Sequence, residues 1–293
     1  MNLALAFEFL LLAALWGGSF LLMKLGASEF GVFATAFIRV FLASLFLLPF
    51  LVWRGQLPAL KANLRPILFA GMLNSGLPFV LFSFAVLHIS TGLSSILNAT
   101  VPLWGAVVAW IWLKDKPNWS RTLGLAIGFA GVTALAWNKA TFTSGASATG
   151  MAVLACLAAT LCYGIAASFA KKYLGGVIPL ASATGSQIGA ALLLAVPAAL
   201  TMPTQMPSLR AWLAIALLAA LCTALAYILY FRIIEKAGPA KATTVTFVIP
   251  VFGIGYGAVF LSEAITNSML VCGAVIILGT ALSTGFLHLG KKK

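Results

Sequence analysis

The chain has 293 residues, of which 62% are apolar and only 8% charged, against about 25% charged in an ordinary soluble domain. With a mean hydropathy of +1.09 it lacks the polar groups to cover a water-soluble globule, which excludes one large soluble domain, a disordered chain and a secreted disulfide scaffold. A net charge of +13 suggests nucleic acid, but the cations stand at the ends of apolar runs and form no basic stripe.

A helix crosses the hydrocarbon of a bilayer with about 20 apolar residues, and polar, proline and glycine punctuation divides the chain into ten such runs. The first, 4–24, carries Glu8 and Trp16 and ends at Lys24. It resembles a secretion signal only superficially, because no Lys or Arg precedes its apolar stretch and no A-x-A site follows, so a retained helix is predicted. The second, 32–53, contains Arg39; in the third, 66–86, Asn74 precedes Pro78 by four residues. The fourth, 91–113, repeats that spacing with Asn98 and Pro102 and adds Trp104; the fifth is 120–137. The sixth, 150–171, holds Tyr163, the seventh, 179–200, Gln187, and the eighth, 209–231, Tyr227 and Tyr230. The ninth, 239–261, places Thr246 four residues before Pro250 and adds Tyr256, and the tenth is 267–287. Runs this long and continuous are helices rather than the alternating ten-residue strands of a membrane barrel. An all-α membrane protein of ten transmembrane helices is expected.

Lys and Arg set the orientation. With the N-terminus cytoplasmic, that side holds Arg54, Lys61, Arg65, Lys114, Lys116, Arg121, Lys171, Lys172, Arg232, Lys236, Lys241, Lys291, Lys292 and Lys293. The opposite side holds only Lys24, Lys139 and Arg210. Both termini are therefore predicted to be cytoplasmic.

The chain also contains itself twice, at an offset of 147–148 residues. Pro102 is followed by Gly105, Leu113 and Asp115 at spacings of 3, 11 and 13, and Pro250 by Gly253, Leu261 and Glu263 at the same spacings. Trp16-Gly17 stands before Lys24 as Tyr163-Gly164 stands before Lys171, and Thr133-Ala134-Leu135 matches Thr280-Ala281-Leu282. Two five-helix units, 1–139 and 140–293, are expected. Five is odd, so the second enters the bilayer from the opposite side, the inverted repeat that transporters use to open a midplane site to one face at a time.

The segments Leu87-His88-Ile89-Ser90-Thr91-Gly92 through Pro102 to Asp115, and Ile234-Glu235-Lys236-Ala237-Gly238-Pro239 through Pro250 to Glu263, carry a specific resemblance. They resemble the repeated signature of the drug/metabolite transporter superfamily, in its ten-span EamA-type branch. The first copy departs from the usual Gly-Glu ending with Lys114-Asp115. The aromatic and neutral content is most similar to amino-acid exporters of the YddG type. The resemblance implies two halves rocking about a pocket lined by the first, third, fourth, sixth, eighth and ninth spans, with Pro102 and Pro250 as hinges.

Polar groups inside a span are costly and are candidates by default. Proline donates no N–H, so the carbonyls of Asn74 and Asn98 lose their helical partner and could meet a substrate ammonium or hydroxyl. Either carboxamide could instead bond a neighbouring helix. Tyr227 and Tyr230 share a helical face and, with Trp16, Trp104, Tyr163 and Tyr256, could line an aromatic cavity. Trp53, Trp112, Trp119, Trp137 and Trp212 lie near span ends and suit an interfacial belt. Glu8 could be a proton or cation site; Arg39 could attract an anion, pair with Glu8 or Glu29, or bond helix carbonyls. Gln187 could contact substrate or a neighbouring helix.

Substrate-binding candidates are thus Trp16, Asn74, Pro78, Asn98, Trp104, Tyr163, Tyr227, Tyr230, Thr246 and Tyr256, with Glu8 and Arg39 for coupling. Cys156, Cys162, Cys222 and Cys272 lack metal-ligand spacing, and neither the two histidines nor the five scattered acids make a catalytic constellation, so no cofactor, metal or enzyme activity is expected. The partners expected are a small solute and the lipid bilayer, with no nucleic acid and no obligate protein partner. The function expected is export of small neutral or aromatic amino acids across the cytoplasmic membrane; the alternative is proton-coupled export of lipophilic cations through Glu8. Small-residue spacings Gly124-x-x-x-Gly128 and Gly185-x-x-x-Gly189 predict close helix contacts.

Overall fold

The computed structural model describes residues 3–140, 146–238 and 242–287. Among these the chain is helical throughout, with no strand. In chain order the helices are α1 (Leu3–Phe30), α2 (Val32–Trp53), the short α3 (Leu57–Ala62), α4 (Leu64–His88), α5 (Thr91–Leu113), α6 (Trp119–Ala140), α7 (Ala146–Tyr173), α8 (Pro179–Leu200), α9 (Leu209–Ala237), α10 (Val245–Leu261) and α11 (Asn267–Ser283). Seven of them (α1, α2, α4, α5, α7, α8 and α9) are long and apolar enough to cross a membrane, while α10 and α11 are apolar but shorter. Mid-helix positions on the outside are apolar too, Leu154, Val196 and Val259 among them, as a lipid-facing surface requires.

Two helices run on past the predicted ends to glycines, while α2 and α5 do stop at the cations Arg54 and Lys114. Helix α1 continues past Lys24 to Gly31 (φ 76°), whose N–H bonds the Ala27 carbonyl, and α9 continues past 231 to Gly238 (φ 86°), whose N–H bonds Ile234. Both take the left-handed conformation that glycine adopts without penalty. Lys24 does not stop α1 because its ammonium is neutralised by Glu263 at 2.8 Å. Helix α11 stops at Ser283, short of 287. Pro102 opens a new segment, Val101–Leu113, after α5 breaks at Ala99–Thr100, whereas Pro250 lies inside α10 without ending it.

Neighbouring helices follow one rule. Helix α1 packs on α10 and α9, and α7 packs on α5 and α4; α2 packs on α8 and α9, and α8 on α2 and α4; α6 packs on α11. Exchanging each helix for the one 147–148 residues away maps these contacts onto one another. Two glycines show how closely it holds. A Cβ on Gly17 would lie 2.5 Å from the Phe252 Cβ and 3.0 Å from the Gly253 nitrogen; one on Gly164 would lie 3.1 Å from the Trp104 Cβ and 2.9 Å from the Gly105 nitrogen. The α6–α11 seam is equally tight, with Gly124 and Gly128 against the backbone of Gly279. Gly185 and Gly189 receive Ile67 and Leu68 of α4.

Candidate solute-binding site

Two ring pairs face the interior. Trp16 of α1 lies 5.3 Å from Tyr230 of α9, and Tyr163 of α7 lies 6.3 Å from Phe82 of α4, centroid to centroid. Tyr163 stands 147 residues after Trp16, and Tyr230 stands 148 after Phe82, so one pair is the counterpart of the other. Tyr227 lies one turn from Tyr230, and its hydroxyl accepts a hydrogen bond from Asn74 Nδ2 at 3.0 Å, joining α9 to α4. Tyr163 and Tyr230 are both half-buried.

Beneath the rings, α4 and α9 each contain a π-helical turn, at Met72–Gly76 and Ala220–Leu225, 148 residues apart. In α4 the turn absorbs the missing N–H of Pro78: the Leu77 N–H bonds the Met72 carbonyl, five residues back. In α9 the Ala226 N–H bonds Leu221, and Thr223 Oγ1 donates to the Leu218 carbonyl at 3.0 Å. Each turn presents one hydroxyl to a neighbour. Gln187 Nε2 of α8 donates to Ser75 Oγ at 3.0 Å, and Arg39 Nε of α2 donates to Thr223 Oγ1 at 2.9 Å. Arg39 is only 4% exposed, and its guanidinium lies 3.5 Å from the centroid of the Phe79 ring. Tyr163, Cys222 and Tyr227 stand within its electrostatic reach.

Trp16, Arg39, Asn74, Tyr163, Tyr227 and Tyr230 are thus brought together, with Pro78 opening the helix that carries Phe79 and Phe82. No hydrogen bond, ion pair or direct ring contact joins the remaining candidates to them among the described residues. Asn98 ends the first half of α5, partly accessible and without a side-chain hydrogen bond there. Trp104 packs edge-on against Phe129 of α6 at 5.0 Å, its Nε1 buried without a partner. Thr246 Oγ1 donates to its own turn, at the Thr243 carbonyl. Tyr256 lies between Phe252 and Phe260 and against Gly18. Arg39 pairs with neither acid considered for it. Glu8 takes Arg232 at 2.8 Å and Lys236 at 3.2 Å, and Glu29 accepts the N–H and hydroxyl of Ser208. Gln187 chooses the neighbouring helix. Phe79, Phe82, Ser75 and Thr223 were not among the candidates; the offset of 148, applied to Tyr227 and Tyr230, points to the first two.

At one end of the helices Glu263 gathers three donors: the Thr91 N–H at 2.8 Å, the Thr91 hydroxyl at 2.7 Å and the Lys24 ammonium at 2.8 Å. Ser262 just before it has φ 52°, a left-handed turn that aims the carboxylate back at α5. Lys114, 148 residues earlier, has φ 59°, and Asp115 after it meets Lys171 at 3.7 Å. The residue corresponding to Thr91 is Pro239, outside the described residues, which has neither N–H nor hydroxyl to offer.

The model of the EamA-like transporter family matches the chain twice, over residues 4–137 and 150–285. Similar proteins include the uncharacterized transporter YdfC of Bacillus subtilis, 26% identical over 93% of this chain and 88% of that protein. The uncharacterized inner membrane transporter YedA of Escherichia coli is 27% identical over 92% and 87%. A probable terminal-alkyne amino-acid exporter of Streptantibioticus cattleyicolor is 24% identical over 91% and 89%. A solved crystal structure 17% identical in sequence superposes with a TM-score of 0.68 over 98% of both chains, a likeness of fold alone.

Proposed function

Because the chain belongs to the EamA-like transporter family, we propose that it exports small neutral or aromatic amino acids, or related metabolites, across the cytoplasmic membrane by alternating access. In this reading it is ten spans arranged as two inverted five-helix units, 1–139 and 140–293, with both termini cytoplasmic. The carrying observation is the interior cluster of Trp16, Tyr230, Tyr163 and Phe82 around Asn74, Tyr227 and Arg39: aromatic faces for an apolar body, amide and hydroxyls for polar ends. The relative named as a probable amino-acid exporter supports the substrate class.

Proton-coupled export of lipophilic cations is the weaker reading. Glu8 is engaged by Arg232 and Lys236, and the buried charge at the cluster is positive, which repels a cation. The test is uptake of labelled tryptophan, phenylalanine, threonine and a lipophilic cation into proteoliposomes, with and without a pH gradient. Saturable amino-acid flux is expected; cation flux that needs the gradient and vanishes in Glu8→Gln would replace this reading with the other.

A further inference from the structure

We propose that the Arg39 guanidinium is the carboxylate-binding group of the transport site, so that the solute it takes carries a single carboxylate on an apolar or aromatic body. This rests on the reading that the interior cluster is where the solute binds.

Three observations carry it. First, Arg39 is 4% exposed, yet none of the five acids of the chain lies within ion-pair distance of it. A buried cation without a partner is strongly disfavoured, and the Phe79 ring at 3.5 Å offsets only part of that cost. Secondly, the guanidinium has five N–H donors, and only Nε is used, on Thr223. The terminal nitrogens bond nothing among the described residues. They present the planar fork that fits a carboxylate with two parallel hydrogen bonds.

Thirdly, the molecule contains its own control. At the equivalent place Gln187 makes the equivalent hydrogen bond to Ser75, at 3.0 Å against 2.9 Å. The architecture therefore asks this position for one N–H donor and not for a positive charge. The charge of Arg39 is surplus to the fold, and the interior site is what it serves. One cation suits one carboxylate; a phosphate ester, with two negative charges, calls for more.

The experiment uses four compounds that share an indole ring: tryptophan, with carboxylate and ammonium; indole-3-propionate, with carboxylate only; tryptamine, with ammonium only; and indole. Each is titrated against the purified full chain, with binding read from the thermal unfolding midpoint. Tryptophan and indole-3-propionate are expected to stabilise the wild type and tryptamine and indole not to. Arg39→Gln, which copies the Gln187 arrangement, should fold with a ligand-free midpoint equal to or above the wild type's and need about 30-fold more of either carboxylate. Arg39→Lys should fall between. The proposal is overturned if neither carboxylate shifts the wild type, if tryptamine matches tryptophan, if Arg39→Gln binds as the wild type does, or if Arg39→Gln does not fold. Binding of indole-3-propionate through Arg39 without tryptophan flux in proteoliposomes would keep the proposal and remove the amino-acid reading. Tryptophan flux unaltered in Arg39→Gln would do the reverse.

Discussion

Arg39 and Gln187, 148 residues apart, donate the same hydrogen bond to hydroxyls at the same place in two π-helical turns, one as a cation and one as a neutral amide. The two equivalent positions therefore differ in charge.

The neutral side is open to test through stability. Gln187→Leu removes the donor to Ser75 and also the amide oxygen that lies buried without a partner. The two effects oppose, so a net loss of about 1 kcal/mol or less is expected in thermal or denaturant unfolding. Ser75→Ala strands the Gln187 amide nitrogen, and about 1–3 kcal/mol should be lost.

Asn74 and Tyr227 tie the two pseudo-equivalent helices α4 and α9 across the interior. A double-mutant cycle with Asn74→Leu and Tyr227→Phe should give a coupling of about 1 kcal/mol in stability. Flux measurements on the same proteins should show KM raised in both single variants and not raised further in the double.

The two acid–lysine contacts are equivalent in place and unequal in strength. Glu263 has three donors and a side chain 12% exposed, so Glu263→Gln should cost about 2 kcal/mol. Asp115, paired with Lys171 at 3.7 Å and 49% exposed, should give up less than about 0.5 kcal/mol as Asp115→Asn. Equal losses in unfolding measurements would contradict the assignment of these partners.

Gly164 admits no side chain, since a Cβ would sit 2.8 Å from the Trp104 carbonyl carbon, and backbone does not yield. Gly164→Ala is expected to cost about 1–3 kcal/mol. Gly150, in the same helix α7 with nothing within 4 Å of a Cβ, is the control, and Gly150→Ala should be neutral or stabilising.

The helices and their repetition were legible because hydropathy, glycine and proline write them into the sequence directly. The offset ties Trp16 to Tyr163, and in the structure each ring packs on a ring of the counterpart helix, Tyr230 for one and Phe82 for the other. Phe79 and Phe82 escaped because a phenylalanine inside a span carries no polar group to mark it; only the offset from Tyr227 and Tyr230 singles them out. Ser75 and Thr223 escaped because a π-helical turn has no residue signature: Pro78 accompanies one, and Ala226 stands at the matching place of the other. For Arg39 the sequence leaves an anion, Glu8 or Glu29, and helix carbonyls as partners; in the structure each of the two acids is engaged near a helix end, by Arg232 and Lys236 or by Ser208. Pro102 and Pro250 looked alike in sequence and differ in effect. The α5 break at Ala99–Thr100 has its carbonyls and hydroxyls taken by Thr280 and Thr160, partners supplied by tertiary structure that spacing alone does not reveal.

Gly124, Gly128 and Gly279 bring α6 and α11 into backbone contact, and these two helices belong to different copies of the matched family model. Where these glycines meet, no side chain separates the two backbones. A methyl group added at Gly279, which meets the Gly128 backbone, would therefore have to push the two copies apart rather than find room between them.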